Sequence, residues 1–102
     1  MDTWQPIFIP ELEQIVAGQL AACSTHQQAL FATYRVPFHA VPLRRFGTVE
    51  VALVAAHLPA GFLYFEDVEE GFEVGVLGED GILPERSCDQ LELQHALARA
   101  GL

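Results

Sequence analysis

The side chains best suited to chemistry are two cysteines, four histidines and a run of acids. Cys23-x-x-His26, with Cys88 and His95, has the composition of a Cys₂His₂ zinc set. Structural zinc sites draw close ligand pairs from tight knuckles. Seven residues of expected helix separate Cys88 from His95, about 10.5 Å along the axis, so one ion does not easily take both. Cys88 falls near the start of an expected helix, where the dipole lowers a thiol's pKa, and a Cys–His nucleophile with His26, His39 or His57 is an open alternative. Glu85, Asp89 and Glu92 surround that thiol with negative charge, which disfavours the thiolate. An inert cysteine packed as a small hydrophobe is the simpler reading. No G-x-x-x-x-G-K, G-x-G-x-x-G, G-x-S-x-G or H-E-x-x-H motif occurs, so the sequence names no catalytic residue, no metal site and no cofactor.

The acids are more distinctive. Ten of the fourteen, with a single arginine, fall between residues 59 and 92, so the net charge of −9 is a local property of one third of the chain. Its centre is Glu66-Asp67-Val68-Glu69-Glu70-Gly71-Phe72-Glu73. Three readings compete. A solvated turn keeps an apolar protein soluble. A docking surface for a basic partner would use Glu66, Asp67, Glu69, Glu70 and Glu73, with Phe72 or Phe65 as anchor. A Ca²⁺ or Mg²⁺ site would use the carboxylates, but the alternating acidic pattern of a calcium loop is missing. The same charge argues against nucleic acid, which is held through clustered Lys and Arg. Arg44-Arg45 is the sole basic pair, and adjacent strand residues face opposite ways. Pairing of one of them with Glu50 across the sheet is expected.

Several elements must position these residues. Pro10 suits the first turn of a helix, followed by Leu12, Ile15, Val16, Leu20 and Cys23 at helical spacing. Ser24 and Gln27 have the form of a capping box, which predicts a second helix from about Thr25 to Tyr34, or one helix bent at Ser24. Pro37 and Pro42 mark 38–46 as an edge strand. Residues 48–58 are apolar on both alternating faces, as in a central strand covered on both sides. Residues 62–65 form a short aromatic strand. Phe72, Val74 and Val76 alternate with Glu73 and Gly75 as in a half-buried strand, and residues 82–84 add a short extension. Ser87, with Gln90 three residues on, predicts a capped C-terminal helix ending at Arg99 and Gly101. The turns between strands are too short for crossover helices. The expected fold is therefore a single α+β domain over 1–102. It has an N-terminal helix or helix pair, a four-stranded antiparallel β-meander and a C-terminal helix, with the helices mainly on one face. Such a domain is large enough to fold without disulfides or metal. An uncovered apolar face of 48–58 would call for a homodimer, and cover by the chain's own termini is the alternative.

The run Tyr64–Phe72, then Asp80-Gly81-Ile82, then Gln90-Leu91-Glu92-Leu93 with Ala96-Leu97, resembles a group of small bacterial proteins. That group carries an aromatic–Glu-Asp-Val-Glu-Glu-Gly-Phe segment ahead of a C-terminal helix. The resemblance covers roughly residues 48–102 and implies no activity and no site residue. The acidic start Met1-Asp2-Thr3-Trp4 lacks the basic region of a signal peptide, and no apolar run reaches the roughly 20 residues of a membrane span, so a cytoplasmic protein is expected. These observations point to a small acidic bacterial protein that binds another protein without catalysis, as inhibitors, immunity proteins and accessory subunits do. One alternative is a ligand-binding domain or enzyme with a pocket between helices and sheet near Cys88, His57 or Tyr64. Another is a structural homodimer.

Overall fold

The computed structural model describes residues 9–66, 70–85 and 91–102. Three helices and one four-stranded antiparallel sheet follow in the order α1 (Ile9–Leu20), α2 (Thr25–Tyr34), β1 (Arg35–Arg45), β2 (Thr48–Leu58), β3 (Gly61–Glu66), β4 (Gly71–Gly75) and α3 (Leu93–Arg99). The strands lie in the sheet in chain order, giving the expected α+β meander. The helix pair is two helices. Ser24 Oγ accepts the Gln27 backbone N–H and the Gln27 side chain accepts the Ser24 N–H, each at 3.0 Å, which closes the capping box and ends any continuity with α1.

The helices bury one face of the sheet. Leu12 and Val16 of α1, Phe31 of α2, and Leu93, Ala96 and Leu97 of α3 meet Ala55, Ala56, Leu58, Leu63, Phe65 and Phe72. Each large side chain so buried contributes about 1.5–3 kcal/mol. β2 departs from strict alternation. The register against β3 shifts between Val54 and Ala56, so Ala55 and Ala56 both enter the helix-side core. This bulge corrects the expectation that they face opposite ways.

Among the described residues, the other face is covered by the chain's own segment around 77–83. Val41, Leu43, Ala52, Val54 and Tyr64 form a second buried cluster with Leu83, and Leu77 packs against it. The expected extension at 82–84 pairs with β1. Leu83 N–H donates to Pro42 O, and Arg44 N–H to Leu83 O, both at 2.9 Å, in a parallel bridge along the outer edge of the sheet. A Cβ placed on Gly75 of β4 would stand 3.4 Å from Leu83 Cδ2. One leucine thus reaches both outer strands, so the sheet is curled around this second core. Along Ala52 and Val54 that face is therefore filled from within the chain.

Two boundaries and one burial pattern differ from expectation. β1 begins at Arg35, directly after α2, and absorbs Pro37 in a register irregularity between Arg35 and His39. Glu73, expected on the solvent face of β4, is 1% exposed, whereas Val76 is 63% exposed. Curling carries Glu73 inward beside Tyr64, its register partner. α3 starts at Leu93, because Leu91 is still extended and accepts the Phe72 N–H at 3.0 Å. Ser87, Cys88, Asp89 and Gln90 lie outside the described residues. Gln19 of α1 takes over at the start of α3: its Oε1 accepts the Leu93 N–H at 2.6 Å.

Candidate docking surface

The acidic segment 66–73 divides sharply. Asp67 and Glu69 lie outside the described residues. Glu70 is exposed, at a left-handed turn position with φ of 54°. Phe72 is fully buried and packs edge-on against Phe65, with ring centroids 5.1 Å apart. Glu66 is buried in an ion pair with Arg45, which Glu50 approaches at 3.9 Å. Glu73 Oε1 accepts from Arg99 at 3.5 Å. Of the six residues expected to meet a partner, Phe72, Glu66 and Glu73 therefore build the interior, and Glu70 is the described one that meets solvent.

The expected opposition of Arg44 and Arg45 is present. Arg45 turns into the second core towards Glu66. Arg44 bonds Asp80 on the outside at 2.9 Å. The Ile82 backbone N–H and the Arg44 guanidinium hold the Asp80 carboxyl below its ordinary pKa. Arg44, Glu79, Asp80, Ile82, Pro84 and Glu85 line an open groove of about 500 Å³.

Next to this groove stands a residue that the sequence reading passed over. Phe46 and Gly47 connect β1 to β2, with φ of 49° and 79°. A two-residue hairpin turn with both φ values positive prefers Asn-Gly, because a left-handed conformation costs an ordinary residue about 1–2 kcal/mol. Phe46 bears that cost and is 80% exposed. Its N–H donates to Glu85 Oε1 at 2.9 Å, and the Arg45 guanidinium lies over its ring at 5.3 Å. The signal that could have found it is Phe-Gly where Asn-Gly would serve. On the helix-side face of the same hairpin, Val49 and Val51 are exposed opposite Arg44 and Pro42. The helix-side core begins only at Leu53, one residue pair further along the face. The hairpin thus carries an apolar surface beyond the helices, and the groove beside Phe46 carries Glu79, Asp80 and Glu85 together with Arg44.

Cys88 lies outside the described residues, and among those described the thiol and imidazole candidates do not assemble into one centre. Cys23 is buried, and burial pushes its thiol pKa up, away from nucleophilic use. His26 and His95 are exposed on α2 and α3. His39 and His57 lie side by side at the end of the β1–β2 ladder far from Phe46. Among the described residues no group of three His, Cys, Asp or Glu side chains is placed to hold a metal ion. No described helix is long and apolar enough to cross a membrane. No family model matches the chain, and neither does any curated protein or solved structure.

Proposed function

We propose that this protein is a non-catalytic protein-binding module whose contact surface is the β1–β2 hairpin. Phe46 is its anchor, Val49 and Val51 its apolar floor, and Glu79, Asp80 and Glu85 its rim. The observation that carries this reading is Phe46 itself. A large aromatic side chain occupies a backbone position that penalises it while remaining 80% exposed. In the free chain the ring gains only the Arg45 guanidinium over its face, and that strain finds a fuller return in a complex, where buried aromatic side chains are enriched among binding anchors. The acidic rim favours a basic partner. It disfavours a second copy, because in a two-fold dimer the same acids would meet each other.

The test begins with a photo-reactive phenylalanine analogue at position 46, used to cross-link the partner in the source cell. The recovered protein is then purified and its affinity measured. It should be basic, bind more weakly as salt rises, and lose roughly a hundredfold or more in affinity to Phe46→Asn. Phe46→Asn should melt at or above the parent temperature, since Asn suits the turn. Equal affinity for Phe46→Asn overturns the reading, as does cross-linking solely between copies of this chain.

A further inference from the structure

We infer that Glu85 is a positioning residue for Phe46, which fixes the pose of the anchor from 39 positions away in the chain. The inference rests on the reading of Phe46 as an anchor. In a two-residue turn with both φ values positive, the N–H of the first central residue points out of the hairpin and has no partner in the strand ladder. Glu85 supplies one, because its Oε1 accepts the Phe46 N–H at 2.9 Å. The turn is fastened in two further ways. Thr48 Oγ1 donates to the Arg45 carbonyl at 2.8 Å, across the mouth of the turn. The Arg45 guanidinium lies 5.3 Å from the centre of the Phe46 ring, and the same guanidinium is held in the buried pair with Glu66. Backbone and ring of Phe46 are thus each tied to an element outside the turn. Glu85 reaches the backbone from the segment after β4, and Arg45 links the ring to β3.

Such ties preorganise a binding residue. A side chain already held in its bound pose loses less conformational freedom on association. Phe46 has particular need of this, because its left-handed backbone is one that an ordinary residue leaves readily. A hydrogen bond to the turn N–H opposes that escape. Among the acids of the groove, Glu85 therefore has a role separable from charge. Asp80 is engaged by Arg44 and by the Ile82 N–H, whereas Glu85 bonds the turn itself. The role asks only for an acceptor oxygen at position 85, which glutamine provides and alanine does not. Glu85 also follows closely on Leu83, whose bridge to β1 fixes where this segment runs. The anchor's pose is thereby coupled to the segment that covers the second face.

The test compares the parent chain with Glu85→Gln and Glu85→Ala, first without a partner. By nuclear magnetic resonance, hydrogen exchange of the Phe46 amide should be roughly fivefold faster in Glu85→Ala and within about twofold of the parent in Glu85→Gln. The coupling between the Phe46 N–H and Hα, which reports φ, should move in Glu85→Ala alone. Glu85 is exposed, so both variants should keep the parent circular dichroism. Towards the protein cross-linked through position 46, Glu85→Ala should bind roughly fivefold more weakly than Glu85→Gln at low and at high salt. The gap between Glu85→Gln and the parent should instead close as salt rises, because that gap is charge. Unchanged Phe46 exchange in Glu85→Ala overturns the inference and leaves Phe46 standing as the anchor. Glu85→Gln that behaves as Glu85→Ala, in exchange or in affinity, overturns it as well. Equal affinity for Phe46→Asn overturns the docking reading itself, whatever the exchange rates show.

Discussion

Replacing Glu66 by Gln removes a charge and almost no volume from a carboxylate side chain that is 5% exposed. Its partner Arg45 has a side chain 10% exposed, at the end of β1 where the hairpin begins to project. The guanidinium would stay buried with its closest counter-charge gone. Glu50, 3.9 Å away and 31% exposed, compensates only in part. Removing one member of a buried pair costs about 3–5 kcal/mol, and the residual attraction of Glu50 places Glu66→Gln near the lower end. A domain of this size loses about 4–8 °C per kcal/mol, so the melting temperature should fall by roughly 12–24 °C. Because the pair is dry, the loss should be nearly the same at low and high salt, unlike that of a surface pair. Urea unfolding of the parent, Glu66→Gln, Glu66→Leu, Arg45→Met and the Arg45→Met/Glu66→Leu double variant measures it. The double variant should recover most of the stability, since well-packed apolar residues replace a buried pair at little net cost. A loss below about 1 kcal/mol in Glu66→Gln, or a double variant as unstable as the sum of the singles, would refute the claim that a buried ion pair ties the hairpin to the sheet.

Two further outcomes follow from the segment that crosses the second face. Leu83→Ala should cost about 2–5 kcal/mol by denaturant unfolding, because Leu83 is fully buried and its cavity would open between both outer strands. The Asp80 carboxyl has its pKa lowered in the folded state, so its contribution is present above the ordinary carboxylate range and is lost as pH falls through the lowered value. The stability difference between the parent and Asp80→Asn should therefore be constant above about pH 5 and shrink steadily below about pH 4. A difference that grows on acidification would contradict that sign.

Local signals were legible where a residue acts on its own few neighbours. The Ser24–Gln27 capping box and the turn after Leu58 operate over two to four residues, and each stands where the sequence placed it. Gly61 shows the limit of such signals. Its turn was evident, but the reason it must be glycine is the Gly75 carbonyl oxygen, 2.6 Å from where a Cβ would sit. Charge was the least legible property. Composition placed a cluster of acids on 66–73, yet a carboxylate's role depends on whether an arginine from another element reaches it. Arg45 lies 21 positions before Glu66, and Arg99 lies 26 positions after Glu73.

By itself, then, the sequence determined the class of the fold, the order of its elements and the concentration of negative charge in one third of the chain. These depend on periodicity, turn chemistry and composition, which are properties of neighbouring residues. The tertiary structure alone decided which acids are surface and which are interior. It also decided that Leu83 closes the second face, that Gln19 caps a helix 74 residues away, and that His39 and His57 meet. Each of those depends on how elements distant in the chain pack against one another, which brings together side chains that no local spacing relates.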